Sequence, residues 1–318
     1  MSAPDEKTSF RDVLLSSMPV VEQGQLPEFS HSRELYDFYY KGQDKAPPMV
    51  DNLAALVRIP WLGDYLGVQV ALPPQGQKPK GILLFFHGYQ SHNGNFSDYF
   101  QRMLERDYIL VASDLPGHGL SGGAIRGGVN DFSEYGEAVA SMVTWIQSIE
   151  EWKDLPIIAS GHSTGCLSIT DYLGRYENPF SALIFAAPLV RLVHWNLALT
   201  GHFLVSGLVK NFDVGNTDKL GLDVFPVIWL TGLISWNDRV INFEPVDVPL
   251  LVIQGELDDV VEWRYNLPVL QHMFPLSTQS MHIGKKHTIL QMDDIRDSMF
   301  NTIDLFLSMA SQFSRQKQ

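Results

Sequence analysis

The sequence predicts an α/β protein in which a mostly parallel, doubly wound sheet is covered by helices on both faces. Short apolar runs recur along the 318 residues and alternate with stretches of helical spacing. Continuous apolar runs are typical of parallel strands buried on both faces, and the alternation implies right-handed crossovers. The runs assigned to strands are 66–72, 81–86, 108–112, 157–159, 182–185 and 250–253.

Three of these elements carry specific expectations. In 66–72 the apolar residues alternate around Val68 and Val70, which predicts a half-buried strand at the edge of the sheet. Residues 289–312 have helical spacing and predict a C-terminal helix. A helix is also predicted before the strand at 157–159, with one apolar face made of Tyr135, Val139, Met142, Val143 and Ile146.

One interval departs from the alternation. Residues 189–247 show no βαβ pattern, yet they are rich in Trp, Phe and Leu. So long an excursion between two strands predicts an inserted helical cap over 189–247. Helices that merely pack on the sheet are the alternative. The α/β core would then comprise 51–188 and 248–318, preceded by an N-terminal extension over 1–50.

Charge and cysteine content limit the function classes. The 23 Lys and Arg against 36 Asp and Glu give a net charge of −13. This argues against nucleic acid and against docking on anionic lipid, because both require clustered cations. Cys166 is the only cysteine, so no intrachain disulfide can form. The first residues lack the apolar run of a signal peptide, and 192–209, the longest stretch without charge, is too polar for a bilayer span. We therefore expect a cytoplasmic protein.

The stretch Gly161-His162-Ser163-Thr164-Gly165 lies between a predicted strand and a predicted helix. This context is typical of a sharp turn that exposes a nucleophilic serine. Two glycines let the strand and the helix approach without Cβ clashes. The first amides of the helix direct a partial positive charge at an anion that forms beside Ser163. An ordinary turn is the alternative if no base and acid accompany the serine.

A candidate acid and a candidate base follow the serine in the order that this kind of fold requires. Asp258 ends a Gly-Glu-Leu-Asp turn after the strand at 250–253, and it is favoured over its neighbour Asp259 by that position. His287 precedes the C-terminal helix, and one helix and one strand fit between it and the acid. His272 and His282 fall inside that helix and that strand, which disfavours them as the base.

An oxyanion needs two convergent N–H donors. Thr164, directly after the nucleophile, is the first candidate. Tyr89 is the second, because it lies in the loop after the strand at 81–86. Gly88 keeps that loop open to substrate, and His87 is interpreted as a structural histidine that braces the loop rather than as a base.

Together these motifs resemble the α/β-hydrolase superfamily and, within it, the lysophospholipase and monoacylglycerol-lipase-like group. The resemblance covers roughly residues 60–310. The segments that carry it are His87-Gly88-Tyr89, the Asp-Leu-Pro-Gly-His-Gly-Leu-Ser-Gly-Gly stretch at 114–123, the 161–165 motif, Gly255-x-x-Asp258 and His287. The stretch 90–96 departs from the group, which often has Glu-His and then Arg-Tyr there, and this leaves head-group recognition open.

The resemblance implies Ser163 as nucleophile, Asp258 as acid, His287 as base, and the Tyr89 and Thr164 amides as the oxyanion hole. It implies no metal and no organic cofactor. We expect a serine ester hydrolase that acts on a lysophospholipid, a monoacylglycerol or another medium-to-long acyl ester, with at most transient membrane contact through the cap. An aminopeptidase or amidase of the same fold is the first alternative, and a non-catalytic ligand-binding protein is the second.

Overall fold

An eight-stranded sheet forms the centre of the structure, a computed structural model that describes residues 9–45, 47–48, 53–74, 77–206 and 208–316. The order of its strands is β1-β2-β4-β3-β5-β6-β9-β10. These strands are β1 (Ala54–Trp61), β2 (Asp64–Ala71), β3 (Gly81–Phe86), β4 (Tyr108–Ser113), β5 (Ile157–His162), β6 (Phe180–Ala186), β9 (Leu250–Gly255) and β10 (Ser277–His282). A separate antiparallel pair is formed by β7 (Asn211–Asp213) and β8 (Val224–Pro226).

Helices cover both faces of this sheet. In the described residues they are α1 (Phe10–Ser17), α2 (Phe29–Lys41), α3 (Ser97–Leu104), α4 (Ser133–Ser148), α5 (Thr164–Leu173), α6 (Trp195–Val205), α7 (Val227–Val240), α8 (Trp263–Met273) and α9 (Arg296–Gln316). Within the same part of the chain, none of them combines the length and the apolar character that a bilayer crossing requires.

The doubly wound α/β fold is confirmed. Every neighbouring pair in the large sheet is parallel except the two pairs that contain β2. The carboxyl ends of the parallel strands therefore meet at one edge of the sheet, where ligands bind in open α/β folds. Phe86 at the end of β3 pairs with Gly161 of β5, and Gly255 at the end of β9 pairs with His282 of β10.

The prediction of an edge strand at 66–72 is wrong. β2 lies between β1 and β4, and its side chains from Leu66 to Ala71 are buried. The alternation came from Gln69, a polar residue that is itself buried. The Tyr40 hydroxyl of α2 donates a 2.7 Å hydrogen bond to Gln69 Oε1, which satisfies that amide oxygen inside the core. A strand and a helix earlier in the chain thus cover a segment that looked half exposed.

The N-terminal helices pack on the sheet. Leu14 of α1 and Tyr36 of α2 lie in one buried cluster with Leu83 and Phe85 of β3. The backbone also joins the two parts, because Arg58 of β1 donates to the Pro19 carbonyl at 2.8 Å and accepts from Val21 at 2.9 Å. The described part of the predicted 1–50 extension is therefore built into the main body. The first eight residues, on which the expectation about a signal peptide rests, lie outside the described residues.

The predicted C-terminal helix begins later than expected. Two short 3₁₀ turns occupy Ile289–Gln291 and Asp293–Ile295, and the α-helix starts only at Arg296. Met292 between the turns has an extended backbone (φ −93°, ψ 119°), which interrupts helical hydrogen bonding. The predicted apolar face is present, with Met299 and Ile303 buried.

Between β6 and β9 the chain leaves the large sheet. This stretch, which contains the predicted cap 189–247, forms α6, the β7–β8 pair and α7. α7 turns Trp229 and Trp236 inward, and both are fully buried. α6 instead leaves Phe203 and Leu204 exposed to solvent. The boundaries of a cap stay a prediction.

Candidate active site

Ser163 stands at the turn between β5 and α5. Its backbone has φ 52° and ψ −111°, a combination that non-glycine residues rarely adopt. Its N–H donates to the Ala186 carbonyl at 2.9 Å, and its own carbonyl accepts from Cys166 at 3.0 Å. The strained strand-to-helix turn expected from the sequence is present.

Glycines make this turn sterically feasible. A Cβ added to Gly161 would lie 2.6 Å from the Cys166 nitrogen, and one added to Gly165 would lie 2.0 Å from the Phe86 carbonyl oxygen. Any side chain at either position would push α5 away from the sheet. A Cβ on Gly88 would meet His162 Nδ1 at 2.7 Å and Ser163 Cβ at 3.2 Å. The loop after β3 is thus in direct contact with the serine.

Asp258 and His287 form a hydrogen-bonded pair beside this turn. The Asp258 Oδ2 to His287 Nδ1 distance is 2.9 Å, and the carboxylate side chain is fully buried. Gln254 Nε2 donates to the same oxygen at 3.0 Å, while the backbone N–H groups of Val260 and Val261 donate to Oδ1. Burial alone would raise the Asp258 pKa, but the hydrogen bond and the charge of His287 together with these amides hold it below its usual value. The carboxylate therefore stays ionised and fixes the proton of His287 on Nδ1, which leaves the Nε2 lone pair available.

The alternative acid and the alternative bases lie in different environments from Asp258 and His287. Asp259 is 63% exposed and pairs with Lys286 Nζ at 3.4 Å. His282 lies within β10 and contacts the Ser280 hydroxyl, and His272 lies exposed on α8. The structure brings Asp258, rather than Asp259, to His287.

The serine and the histidine are neighbours without being bonded in this state. The His287 ring lies beside the turn, its centroid 4.8 Å from that of His162. Among the described residues Ser163 Oγ makes no hydrogen bond to His287. Such contacts are often loose in the absence of substrate and tighten when it binds.

His162 contacts both the ring and the backbone of His287. Its Nε2 lies 3.0 Å from the His287 carbonyl oxygen, a distance at which an Nε2–H donates to that oxygen. Burial, with the nearby His287, lowers the His162 pKa to about 3, so the ring is neutral. A neutral ring bonded to the backbone positions the loop that carries His287, as expected for a residue that is not the base.

Two backbone N–H groups close to Ser163 have no acceptor among the described residues. In the described part of the chain, neither the Tyr89 N–H nor the Thr164 N–H has a hydrogen-bond acceptor. Thr164 is the first residue of α5, where unpaired amides and the helix dipole favour an anion. Tyr89 follows Gly88, which abuts Ser163. Both predicted amides are thus available to bind an oxyanion.

The chain is similar to known proteins in both sequence and structure. Residues 77–220 match a family described as serine aminopeptidase, S33. The chain is 33% identical over 112 residues to monoacylglycerol lipase from Mycolicibacterium smegmatis, a match that covers 35% of this chain and 39% of that protein. It is 25% identical to monoglyceride lipase from Mus musculus over 72% of this chain and 83% of that one.

A solved structure extends the likeness to most of the chain. A soluble variant of monoglyceride lipase from Saccharomyces cerevisiae, in complex with a substrate analogue, superposes with a TM-score of 0.66. The sequences are 16% identical, and the match covers 84% of this chain and 97% of the yeast one. The chain has the α/β-hydrolase fold. The relatives are themselves lipases, which confirms the resemblance to lipase-like serine hydrolases.

Several polar residues brace the loops around the site. The N–H of Leu115 donates to His87 Nε2 at 2.9 Å, and His87 Nδ1 lies 2.7 Å from the Gly88 carbonyl oxygen. Burial and the neighbouring His118 lower the His87 pKa well below its usual value. His87 is therefore a neutral side chain that joins the loop after β3 to the loop after β4 by hydrogen bonds, in agreement with its interpretation as a structural histidine.

The buried neutral histidines predict a pH-dependent stability. Burial lowers the pKa of His118 to about 4 and that of His162 to about 3 from an ordinary 6.5. As the pH falls below 6.5, these two histidines bind protons in the unfolded chain but not in the folded chain. The free energy of unfolding therefore decreases as the pH is lowered. Each such histidine contributes a slope of about 1.4 kcal/mol per pH unit. We expect the free energy of unfolding in urea to fall between pH 6.5 and 4.5.

The variant His118→Gln checks the origin of that slope. It is expected to reduce the proton uptake on unfolding by about one between pH 6.5 and 4.5. His272→Gln, on the exposed surface of α8, is the matched control and should leave the slope unchanged. An identical slope in the wild type and His118→Gln would show that this ring is protonated in the folded hydrolase.

Two elements of the site were missed in the sequence. Gln254, which holds Asp258, is a polar residue at the end of the apolar run 250–253, and that position was an available signal. His92 lies in the stretch 90–96 that departs from the lipase-like group. Its Nδ1 lies 3.1 Å from the Tyr39 hydroxyl of α2, and its Nε2 lies 2.8 Å from Asp218 Oδ2. No local pattern connects these three distant segments.

Proposed function

We propose that this α/β-hydrolase is a serine hydrolase that cleaves carboxylic esters through an acyl-enzyme. The observation that carries the proposal is the strained Ser163 turn next to a buried Asp258–His287 pair. A serine hydroxyl is a weak nucleophile and needs a base that is oriented by a third group. The lipase-like relatives support the same chemistry.

In the first half-reaction, His287 Nε2 takes the proton from Ser163 Oγ as that oxygen attacks the ester carbonyl. The tetrahedral oxyanion accepts hydrogen bonds from the Tyr89 and Thr164 amides. His287 then donates the proton to the leaving alkoxide, which departs as the alcohol. Asp258 stays ionised throughout and stabilises the imidazolium.

In the second half-reaction, water replaces the alcohol. His287 removes a proton from the water as it attacks the acyl-enzyme, and the same amides bind the new oxyanion. Return of the proton to Ser163 Oγ releases the carboxylic acid. The ester and one water molecule account for all atoms of the acid and the alcohol, and His287 carries the proton in each half-reaction.

The segment 189–247 supports a medium-to-long acyl ester, and we propose that it acts as a cap. A cavity of about 280 Å³ lies between α6 and α7, lined by Ala198, Gly201, His202, Phe212, Phe225, Val227 and Leu230. Phe225 also packs on the ring of Tyr89, so one side chain that lines the cavity contacts a residue of the proposed oxyanion hole. An acyl chain placed there would bury its methylenes against apolar side chains. We therefore propose a lysophospholipid or a monoacylglycerol as the substrate class.

Chain-length dependence tests this substrate assignment. Each buried methylene contributes about 0.8 kcal/mol, so kcat/KM can rise by up to about fourfold per methylene. Across p-nitrophenyl esters from acetate to decanoate, we expect an overall rise of at least about tenfold. A steady fall from acetate to decanoate would contradict the lipid assignment.

Gly201 provides a variant that addresses the cavity directly. A Cβ at this position meets no atom within 4 Å, so Gly201→Phe fills the cavity without a backbone clash. This variant should keep its activity on the acetate and lose the gain with longer chains. Gly201→Ala improves helix propensity in the same way but leaves most of the cavity open, and it should behave as the wild type. Equal chain-length profiles for the two variants would place the acyl chain elsewhere.

An aminopeptidase is the second candidate, because the matched family is described as serine aminopeptidase. Binding a substrate amino terminus calls for a carboxylate near the site. Of the five aspartates in 189–247, Asp213, Asp223, Asp238 and Asp247 are exposed, and Asp218 is held by His92. These surroundings favour the ester.

Activity profiling decides between the candidates. The purified protein would be assayed on lysophospholipids, monoacylglycerols, short-chain esters and amino-acid p-nitroanilides. We expect the highest kcat/KM on the lipid esters. A preference for the anilides would favour the aminopeptidase, and failure to hydrolyse all four classes would contradict both.

A further inference from the structure

The side chain of Tyr89 is held by parts of the molecule that lie outside its own loop. Its ring centroid lies 4.1 Å from that of Trp229 on α7, with 35° between the ring planes. Phe225 packs edge-on at 5.6 Å, and His118 packs edge-on from another side at 5.2 Å. The hydroxyl donates a 2.8 Å hydrogen bond to the Gly127 carbonyl. Two of these four contacts come from the segment 189–247.

The backbone amide of Tyr89 is restrained through its own peptide plane as well as through the ring. The N–H has no acceptor in the described residues, as required of an oxyanion donor. The next residue, Gln90, has φ 59°, in the left-handed region that non-glycine residues seldom adopt. The Gly88 carbonyl, which lies in the same peptide plane as the Tyr89 N–H, accepts from the Ser91 N–H at 3.2 Å and lies 2.7 Å from His87 Nδ1. The ring contacts add a second restraint on the direction of this amide, and part of it comes from the segment 189–247.

We propose that Trp229 is a positioning residue that sets the oxyanion hole through the ring of Tyr89. The inference rests on the proposed function, since it concerns the same amide. Trp229 is itself fixed, because it is buried and packs on Phe132 at 5.5 Å as well as on Phe225 at 5.9 Å. The segment that shapes the acyl cavity therefore also aligns the group that binds the developing negative charge.

This arrangement couples substrate binding to catalysis. Phe225 lines the acyl cavity and touches both Tyr89 and Trp229. Small displacements matter, because a misplacement of about 1 Å in a catalytic group can lower a rate by about 10²-fold. Loss of the Trp229 ring should therefore affect kcat more than KM, since the misplaced amide acts on the transition state.

A double-mutant cycle on p-nitrophenyl butyrate tests the proposal. This ester is too short to depend on the full acyl cavity. Tyr89→Ala keeps the backbone amide and removes the ring, and Trp229→Leu removes the partner. Each is expected to lower kcat by about 10- to 100-fold with KM within about threefold of the wild type. Because both act through one contact, the double variant should lose no more than the worse single variant.

Three controls separate positioning from general packing. Trp145 on α4 is also fully buried but packs on Trp152, so Trp145→Leu should lower stability and leave kcat unchanged. Trp229→Phe keeps an aromatic ring and should restore kcat to within about threefold of the wild type. Unfolding midpoints of all the variants are measured in parallel. If Trp229→Leu does not fold, the kcat of Tyr89→Ala on p-nitrophenyl butyrate tests the proposal by itself.

The outcomes distinguish the inference from the proposed function. If the wild type hydrolyses the ester and Tyr89→Ala or Trp229→Leu keeps kcat within twofold, the positioning role is overturned. It is also overturned if the two losses multiply in the double variant. A folded wild type that is inert on all ester classes contradicts the proposed function, and the positioning role falls with it.

Discussion

Replacement of Ser163 by alanine is expected to lower kcat for ester hydrolysis by about 10⁴- to 10⁶-fold. The variant removes the hydroxyl oxygen that we propose forms the acyl-enzyme, while Asp258, His287 and the two amides remain. The residual rate reflects binding and the oxyanion hole alone. Steady-state kinetics on p-nitrophenyl butyrate measure the loss, and Ser141→Ala, which changes a serine on α4, is the matched control.

Ser163 also offers a thermodynamic test of its strained backbone. Its φ of 52° is unfavourable for any residue with a Cβ, whereas glycine adopts it readily. Ser163→Gly should therefore be more stable than Ser163→Ala by about 1 kcal/mol, although both are inactive. Equal stability in urea unfolding, or Ser163→Ala activity within tenfold of the wild type, would contradict the assigned role.

The Asp258→Asn variant is expected to lose about 10⁴-fold in kcat with the fold retained. The asparagine oxygen can still accept from Val260 and Val261, so the local structure persists. The amide group cannot hold the proton of His287 on Nδ1 or stabilise the imidazolium, so the base is presented in the wrong tautomer.

Asp259→Asn is the matched control for this loss. It makes the same chemical change one residue away, on a carboxylate that is 63% exposed and paired with Lys286. Its kcat should stay within about twofold of the wild type, since exposed ion pairs contribute little. A large loss in Asp259→Asn with little change in Asp258→Asn would reverse the assignment of the acid.

Local patterns predicted the parts of the fold that depend on neighbours in sequence. The buried strand 81–86 was predicted with its observed bounds because both its faces are covered by crossover helices. The Ser163 turn follows from glycine spacing, and the choice of Asp258 over Asp259 follows from the turn after β9. These features are encoded within a few residues.

Features that depend on distant segments were not predictable in this way. Gln69 interrupts the apolar pattern of β2, and this pattern predicts an edge strand. The hydrogen-bond partner of Gln69 is Tyr40, which lies 29 residues away in the sequence. The contact between Tyr89 and Trp229 joins a loop after β3 to a helix in the 189–247 segment. Alternation and spacing report which side chains are apolar, but they do not report which remote side chain covers them.

Covalent labelling with a fluorophosphonate, followed by peptide mass spectrometry, tests most directly whether Ser163 is an activated nucleophile. The reagent reacts with serines that have a base and an oxyanion hole in place. In the native wild type we expect one adduct on the peptide that contains Ser163, and none in Ser163→Ala or after unfolding. An unlabelled native wild type, or an adduct on another serine, would contradict the catalytic assignment and favour a non-catalytic ligand-binding role.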